Sequence, residues 1–170
     1  HRLLLLSGPQ FIVAAGGPVL FNQYLSPVHH TKTNWDLQNG TGGMISVGIG
    51  GSITGYGADL LIVDDPIKNR AEAESQTYRE MLWSEYQSTV STRLHAGGAV
   101  IIILTRWHED DLAARLLNPE YGKVEDWKII SLPAICEDPA GDPLGRGEGE
   151  ALWPAGGYDE LWAAQQKETV

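Results

Sequence analysis

Three uninterrupted apolar runs organise the middle of this chain. Residues 44–49 are mostly apolar and are closed by Gly50 and Gly51; Leu60, Leu61, Ile62 and Val63 are ended by Asp64, Asp65 and Pro66; residues 99–104 read Ala-Val-Ile-Ile-Ile-Leu. Apolar and polar positions do not alternate strictly in any of them. Continuous runs rich in branched residues, bounded by glycine or polar positions, predict strands buried on both faces, as in a parallel sheet. Between the second and third runs the period changes. Tyr78, Leu82, Tyr86, Val90 and Leu94 recur every fourth residue, which predicts the apolar stripe of a helix. Asn69 and Glu72 have the spacing of a capping box, and Gly97-Gly98 is the expected stop. Residues 60–104 therefore read as strand, crossover helix and strand, with parallel strands and a right-handed crossover.

Other signals are weaker. A second helix is predicted over about 109–117, with Glu109, Asp110 and Asp111 in its first turn and Arg115 further along, the order the helix dipole favours. Residues 127–132 read as another strand, 133–157 as a loop or linker rich in Pro, Gly and acids, and 158–168 as the start of a helix. Residues 7–43 carry no pattern that places them. Leu3, Leu4, Leu5 and Leu6 follow a single arginine and precede Ser7-Gly8-Pro9, too short a run for a membrane span or a signal peptide.

Composition narrows the class. With 170 residues, 42% hydrophobic and 20% charged, the chain can build one cored domain and is neither disordered nor a coiled coil. A net charge of −10 argues against a free-standing binder of phosphate backbones, which would carry clustered Lys and Arg. Residues 1–58 hold only Arg2, Lys32 and Asp36, so the whole acidity falls on the remainder. A third of the chain with three charges is poor surface material and reads as buried or as the edge of something larger. The single cysteine, Cys136, excludes an intrachain disulfide and a Cys-based zinc cluster.

Parallel strands place their carboxyl ends on one edge of the sheet, where open α/β sheets bind ligands. Asp64-Asp65 follows one such strand and Thr105-Arg106-Trp107-His108 follows the next. If the strands are neighbours, these groups lie about 5 Å apart, one strand spacing. Four apolar residues ending in two acids have the form of a Walker B segment, in which the first acid projects from a buried strand to hold Mg²⁺ and the second orients or deprotonates the attacking water. A buried strand that simply meets solvent at an Asp-Asp-Pro turn is the plain alternative.

Two segments together carry a resemblance. Residues 50–66, Gly-Gly-Ser-Ile-Thr-Gly-Tyr-Gly-Ala-Asp-Leu-Leu-Ile-Val-Asp-Asp-Pro, and residues 105–112, Thr-Arg-Trp-His-Glu-Asp-Asp-Leu, resemble the large terminase subunit of tailed bacteriophages, and the similarity runs from about Trp35 to Trp153. That family packages viral DNA into a procapsid by ATP hydrolysis and also cuts the concatemer. The resemblance implies an α/β fold with a parallel-sheet, P-loop NTPase-like core of the ASCE type. It implies ATP and Mg²⁺ as cofactors, with Asp64 as the metal carboxylate, Asp64 and Asp65 as cofactor-binding residues, and Asp65, Thr105 and Arg106 as catalytic. Thr105 and Arg106 match the segment that couples hydrolysis to DNA movement. Arg70, Arg79 and Arg93 are candidates for a finger reaching the ATP of a neighbouring subunit, and Trp107 for packing. The partners implied are double-stranded viral DNA, the portal protein, the small terminase subunit and other large subunits in a ring, in the cytoplasm of the bacterial host and transiently at the portal vertex, with no membrane.

The phosphate-cradling motif is not in these residues. A P-loop needs G-x-x-x-x-G-K-[ST], and the sole Gly-Lys pair, Gly122-Lys123, is followed by Val124. The core is therefore expected to be incomplete, its Walker A strand and loop lying before His1 and an RNase H-like nuclease domain after Val170. In such folds the strand after Walker B lies between it and the P-loop strand, so 99–104 is expected to lack a partner unless residues 11–15 or another N-terminal segment supplies one. The expected division is 1–132 as a partial ATPase domain, with 1–34 poorly matched, and 133–170 as a linker containing the Gly-Glu-Ala-Leu-Trp-Pro stretch that precedes the nuclease part. Taken alone the chain is expected not to hydrolyse ATP. Two other readings compete: a non-catalytic prophage-derived remnant or interaction scaffold, and a two-metal carboxylate nuclease using Asp64, Asp65, Glu109, Asp110 and Asp111.

Overall fold

The computed structural model describes residues 2–7, 19–20, 23–31, 33–37, 42–51 and 56–169. It divides into two compact units, His1–Glu125 and Asp126–Val170. In the first, seven strands form one mixed sheet: β1 (Arg2–Ser7), β2 (Val19–Leu20), β3 (Gln23–His30), β4 (Asn34–Leu37), β5 (Gly43–Val47), β6 (Ala58–Asp64) and β7 (Leu94–Ile103), in the order β2-β3-β4-β5-β1-β6-β7. From β5 to β7 every pairing is parallel; β2, β3 and β4 join antiparallel.

The sheet is thus mixed rather than parallel throughout. The three runs read from the sequence are β5, β6 and β7, while the four leucines of β1 occupy the place between β5 and β6, with Leu3 opposite Leu60 and Ser7 opposite Asp64. A short apolar run gives no sign of which strands it will separate. Residues 11–15, named above as a possible partner for 99–104, lie outside the described residues. β7 is the last strand in the order, and Ile101 and Ile103 on it are 44% and 53% exposed. Its burial alternates, so it is covered on one face and not on both.

The crossover between β6 and β7 is broken where the sequence reads one helix. α1 (Arg70–Glu74) begins at Asn69, whose side chain accepts the Glu72 amide at 3.0 Å. Glu72 returns a bond to the amide of Lys68, one residue before the cap, at 3.0 Å. Ser75 then leaves the helical region and restarts it, its hydroxyl accepting the Tyr78 amide at 3.3 Å to open α2 (Gln76–Arg93). The chain passes from Arg93 directly into β7, so Leu94 belongs to the strand. Gly97 and Gly98 are not the helix stop. They sit in a bulge where Ala58 faces Leu94 and Leu60 faces Ala99, and Gly97 has φ of +79°, which glycine adopts without steric cost.

The core lies between this sheet and the helices. Leu61 and Val63 of β6 pack with Ile45, Ile67, Ala73, Leu82, Tyr86 and Leu112, with Tyr78 and Trp83 against them. Each fully buried aliphatic side chain here contributes roughly 1.5–3 kcal/mol relative to exposure. α3 (Leu112–Leu117) is shorter than predicted, because Asp111 is its N-cap and Glu109 and Asp110 precede it.

The second unit contains α4 (Glu160–Thr169), a 3₁₀ turn at Pro154–Gly156 and otherwise irregular backbone. Residues 127–132 are not a strand: they pair with none among the described residues, and Ile129, Ile130 and Leu132 are exposed. Residues 133–157 gather around one buried arginine. Arg146 donates to Asp142 through Nε at 3.1 Å and Nη2 at 2.7 Å, and through Nη1 to the carbonyls of Pro133 and Glu150 at 3.0 and 3.4 Å. Four bonds from one guanidinium add to a short antiparallel pairing about Ile135 and Ala151, where the Cys136 amide donates to the Glu150 carbonyl at 2.9 Å and the Leu152 amide to the Ala134 carbonyl at 2.8 Å.

Candidate functional site at the carboxyl edge

β6 and β7 are direct parallel neighbours, with Asp64 in register with Ile103. Their carboxyl ends therefore lie about one strand spacing apart, and Thr105 and Arg106 follow two and three residues beyond Ile103. The amide of Asp65 donates to the carbonyl of Ile103 at 2.9 Å, carrying the pairing one residue past the strand.

Asp65 has φ of +43°, the sole described non-glycine residue in the left-handed region. Aspartate is among the few side chains that tolerate that region, and its occupation at the end of a central strand is the kind of strain found at functional sites. Pro66 and Ile67 are buried behind the turn, and the Tyr78 hydroxyl donates to the Pro66 carbonyl at 3.1 Å. The turn is thereby pinned from α2. Asp64 is half-buried and Asp65 exposed, and neither carboxylate has a side-chain hydrogen bond or ion pair with any described residue. Two adjacent carboxylates without a counter-charge are an oxygen donor set suited to a hard cation such as Mg²⁺, which in nucleotide sites takes one or two carboxylates together with phosphate oxygens and water.

Thr105 and Arg106 are both exposed. Arg106 donates through Nε to Asp111, a residue 1% exposed. His108 Nδ1 accepts the Asp110 amide at 2.9 Å, and Glu109 is exposed. Trp107, read as packing, is 45% exposed. The sequence does not anticipate what surrounds Asp110. Its carboxylate accepts from Arg79 Nε at 3.1 Å, from Arg115 Nε and Nη2 at 2.7 and 2.5 Å, and from the Tyr121 hydroxyl at 3.3 Å. Arg115 foremost, with Arg79 and Tyr121, holds this carboxyl well below the ordinary carboxylate range against the opposing effect of burial.

This arrangement separates the candidate residues. Arg79 also donates to the Ala73 carbonyl at 2.6 Å, satisfying the end of α1, and is nearly buried. Its donors are thus engaged within the chain, unlike those of a residue free to reach outward. Arg70 is exposed beside Glu74, and Arg93 is half-buried. Asp110 and Asp111 are neutralised by arginines, and among the described residues no three His, Cys, Asp or Glu side chains are grouped as a metal site. The two-metal nuclease reading loses two of its five acids to guanidinium contacts. Arg115 and Tyr121 had no sequence signal beyond a basic residue late in a helix and an aromatic after it, and the contact between Arg79 and Asp110 spans 31 residues.

A small apolar pocket lies between the Gly48–Gly51 turn and α2, lined by Val63, Leu82, Tyr86 and Leu112. Gly50 has φ of +79° there. Burial, with Glu125 adding to it, pushes the Tyr86 hydroxyl up to about 12, so it stays protonated and acts as packing. No helix among the described residues is long and apolar enough to cross a membrane.

Residues 17–156 match the family described as terminase large subunit, T4likevirus-type, N-terminal. No curated protein matches the chain.

Proposed function

This chain belongs to the N-terminal family of phage terminase large subunits, and from that premise we propose that it carries the hydrolytic edge of an ATP-driven DNA-packaging motor. The family works in phage DNA packaging with DNA and other phage proteins. Asp64 and Asp65 are the acids of a Walker B segment in a P-loop NTPase-like core, and the observation that carries the reading is that these two carboxylates, at the carboxyl edge next to Thr105 and Arg106, meet no counter-charge among the described residues.

Bound Mg²⁺ would supply charge neutralisation for the phosphates, with Asp64 as its protein ligand. Asp65, held in its left-handed turn, orients the attacking water and accepts its proton. The Thr105 hydroxyl and the free nitrogens of Arg106 face charge that builds on the transferred phosphoryl group. Portal protein, small subunit, ring neighbours and a host-cytoplasmic setting belong to the same proposal.

The test is Mg²⁺-dependent ATP turnover by the full protein, in which Asp64→Asn should abolish the activity while leaving the thermal midpoint in place. Turnover that survives Asp64→Asn would remove the Walker B assignment and favour the remnant or scaffold reading.

A further inference from the structure

Asp111 uses its two carboxylate oxygens on different elements. Oδ1 accepts the Ala114 amide at 2.9 Å and caps α3, while Oδ2 accepts from Nε of Arg106. The carboxylate is 1% exposed, and the Arg106 side chain is 56% exposed. Neither Nη1 nor Nη2 of Arg106 bonds to a described residue.

We infer that Asp111 is the positioning residue for Arg106: it grips the guanidinium by Nε, leaving both terminal nitrogens for a phosphoryl group, and it ties that group to the first turn of α3. The inference rests on the ATPase reading above and names a residue that reading does not use. Guanidinium is suited to the arrangement because its five donors lie in one rigid plane, so one edge can serve a carboxylate while the other takes an anion. If a phosphate drew Arg106 away altogether, Asp111 would be left buried without its counter-charge, which is strongly unfavourable. Arg106 therefore stays gripped during phosphate contact, and a displacement at the end of β7 is passed through one side-chain bond to α3. A lysine would do this poorly, since its ammonium is a freely rotating point charge whose donors hold no fixed plane between Asp111 and the phosphate.

The experiment measures ATP turnover and thermal midpoint in the full protein for Arg106→Ala, Arg106→Lys, Asp111→Asn and Asp111→Ser. Asn and Ser are both good N-caps, so each keeps an acceptor for the Ala114 amide while removing the carboxylate. Arg106→Ala is expected to lower kcat by about 100-fold or more. Asp111→Asn should lower it by roughly 10- to 100-fold, the scale of a misplaced catalytic group, with KM for ATP within about twofold and the thermal midpoint little changed. Arg106→Lys should fall with Arg106→Ala.

A purely structural Asp111 gives the opposite result: a lowered midpoint with kcat unchanged in whatever remains folded, or loss of fold in both Asp111 variants. Either overturns the inference, as does Arg106→Lys at full activity. If Arg106→Ala itself leaves turnover intact, or the full protein has none, the ATPase reading has failed and the positioning role falls with it. Loss in Arg106→Ala but not in either Asp111 variant sinks the positioning role alone.

Discussion

Two Asp-Asp pairs sit in the first unit of this protein, and they do opposite things. Asp64-Asp65 ends a buried strand with no cation beside it among the described residues, while Asp110-Asp111 is enclosed by Arg79, Arg115 and Arg106. Dipeptide identity is the same, and both pairs come at or after the carboxyl end of a parallel strand, Asp64 as the last residue of β6 and Asp110 seven residues after β7. The difference is what the rest of the fold delivers. A carboxylate already paired with guanidinium fixes the place of that cation, at Asp110 holding structure together and at Asp111 holding Arg106, and one left uncompensated is available to a metal ion or a water.

The sharpest way to break this contrast is to neutralise each pair in turn. Asp65→Asn should lower ATP turnover in the full protein by about 10²–10⁴, the range for losing a general base, with no loss of stability because Asn also tolerates the left-handed turn. A destabilised but active Asp65→Asn would reverse the roles assigned to the two pairs. Asp110→Asn should do the converse, costing about 2–3 kcal/mol in denaturant unfolding because two nearly buried arginines lose their carboxylate, moderated by the wetting of Asp110 itself. Unfolding of Asp110→Asn at the wild-type denaturant midpoint would show that this cluster is not what binds α2 to α3.

Acid sharpens the comparison within the paired class. The second unit has its own buried ion pair, in which the Arg146 guanidinium holds the Asp142 carboxyl down to about 2, below its ordinary 3.8. The unfolded chain thus binds that proton first as the pH falls, so the pair's contribution is complete above 3.8 and is lost on the way down to about 2. Near-ultraviolet signals from the second unit's tryptophans should follow this window, and in Asp142→Asn they should lose the dependence. The smallest effect belongs to Arg70. Its ion pair with Glu74 is 3.7 Å long and exposed, so Arg70→Gln should change stability by no more than about 0.5 kcal/mol. A larger loss there would mean that exposure is not what distinguishes strong from weak pairs in this protein.

Much of the scaffold was legible because it is local. The runs that became β5, β6 and β7, the Asn69 cap and the stripe Tyr78, Leu82, Tyr86 are each read within a few residues, and the covering of Leu61 and Val63 follows from their apolar run. The failures are also physical. Ser75 competes for backbone bonds and splits the crossover helix, which a four-residue apolar period does not register. Residues 127–132 have strand composition but no described partner, and composition without a ladder is not a strand. The run from Leu3 to Leu6 is too short for a membrane and carries no local mark of the strand between β5 and β6, since strand order depends on pairings 40 or more residues away.

The sequence by itself determined that Asp64 and Asp65 would end a buried strand and that Thr105 and Arg106 would follow a second one, because a strand's burial and its end are written in consecutive residues. Only the tertiary structure decided which acids would be left uncompensated. Arg79 reaches Asp110 across 31 residues of chain, and Arg106 meets Asp111 only because the turn between them folds back onto α3. Charge compensation is a property of side chains brought together by packing, so four aspartates that look alike in the sequence separate into two paired with arginine and two that meet no counter-charge among the described residues.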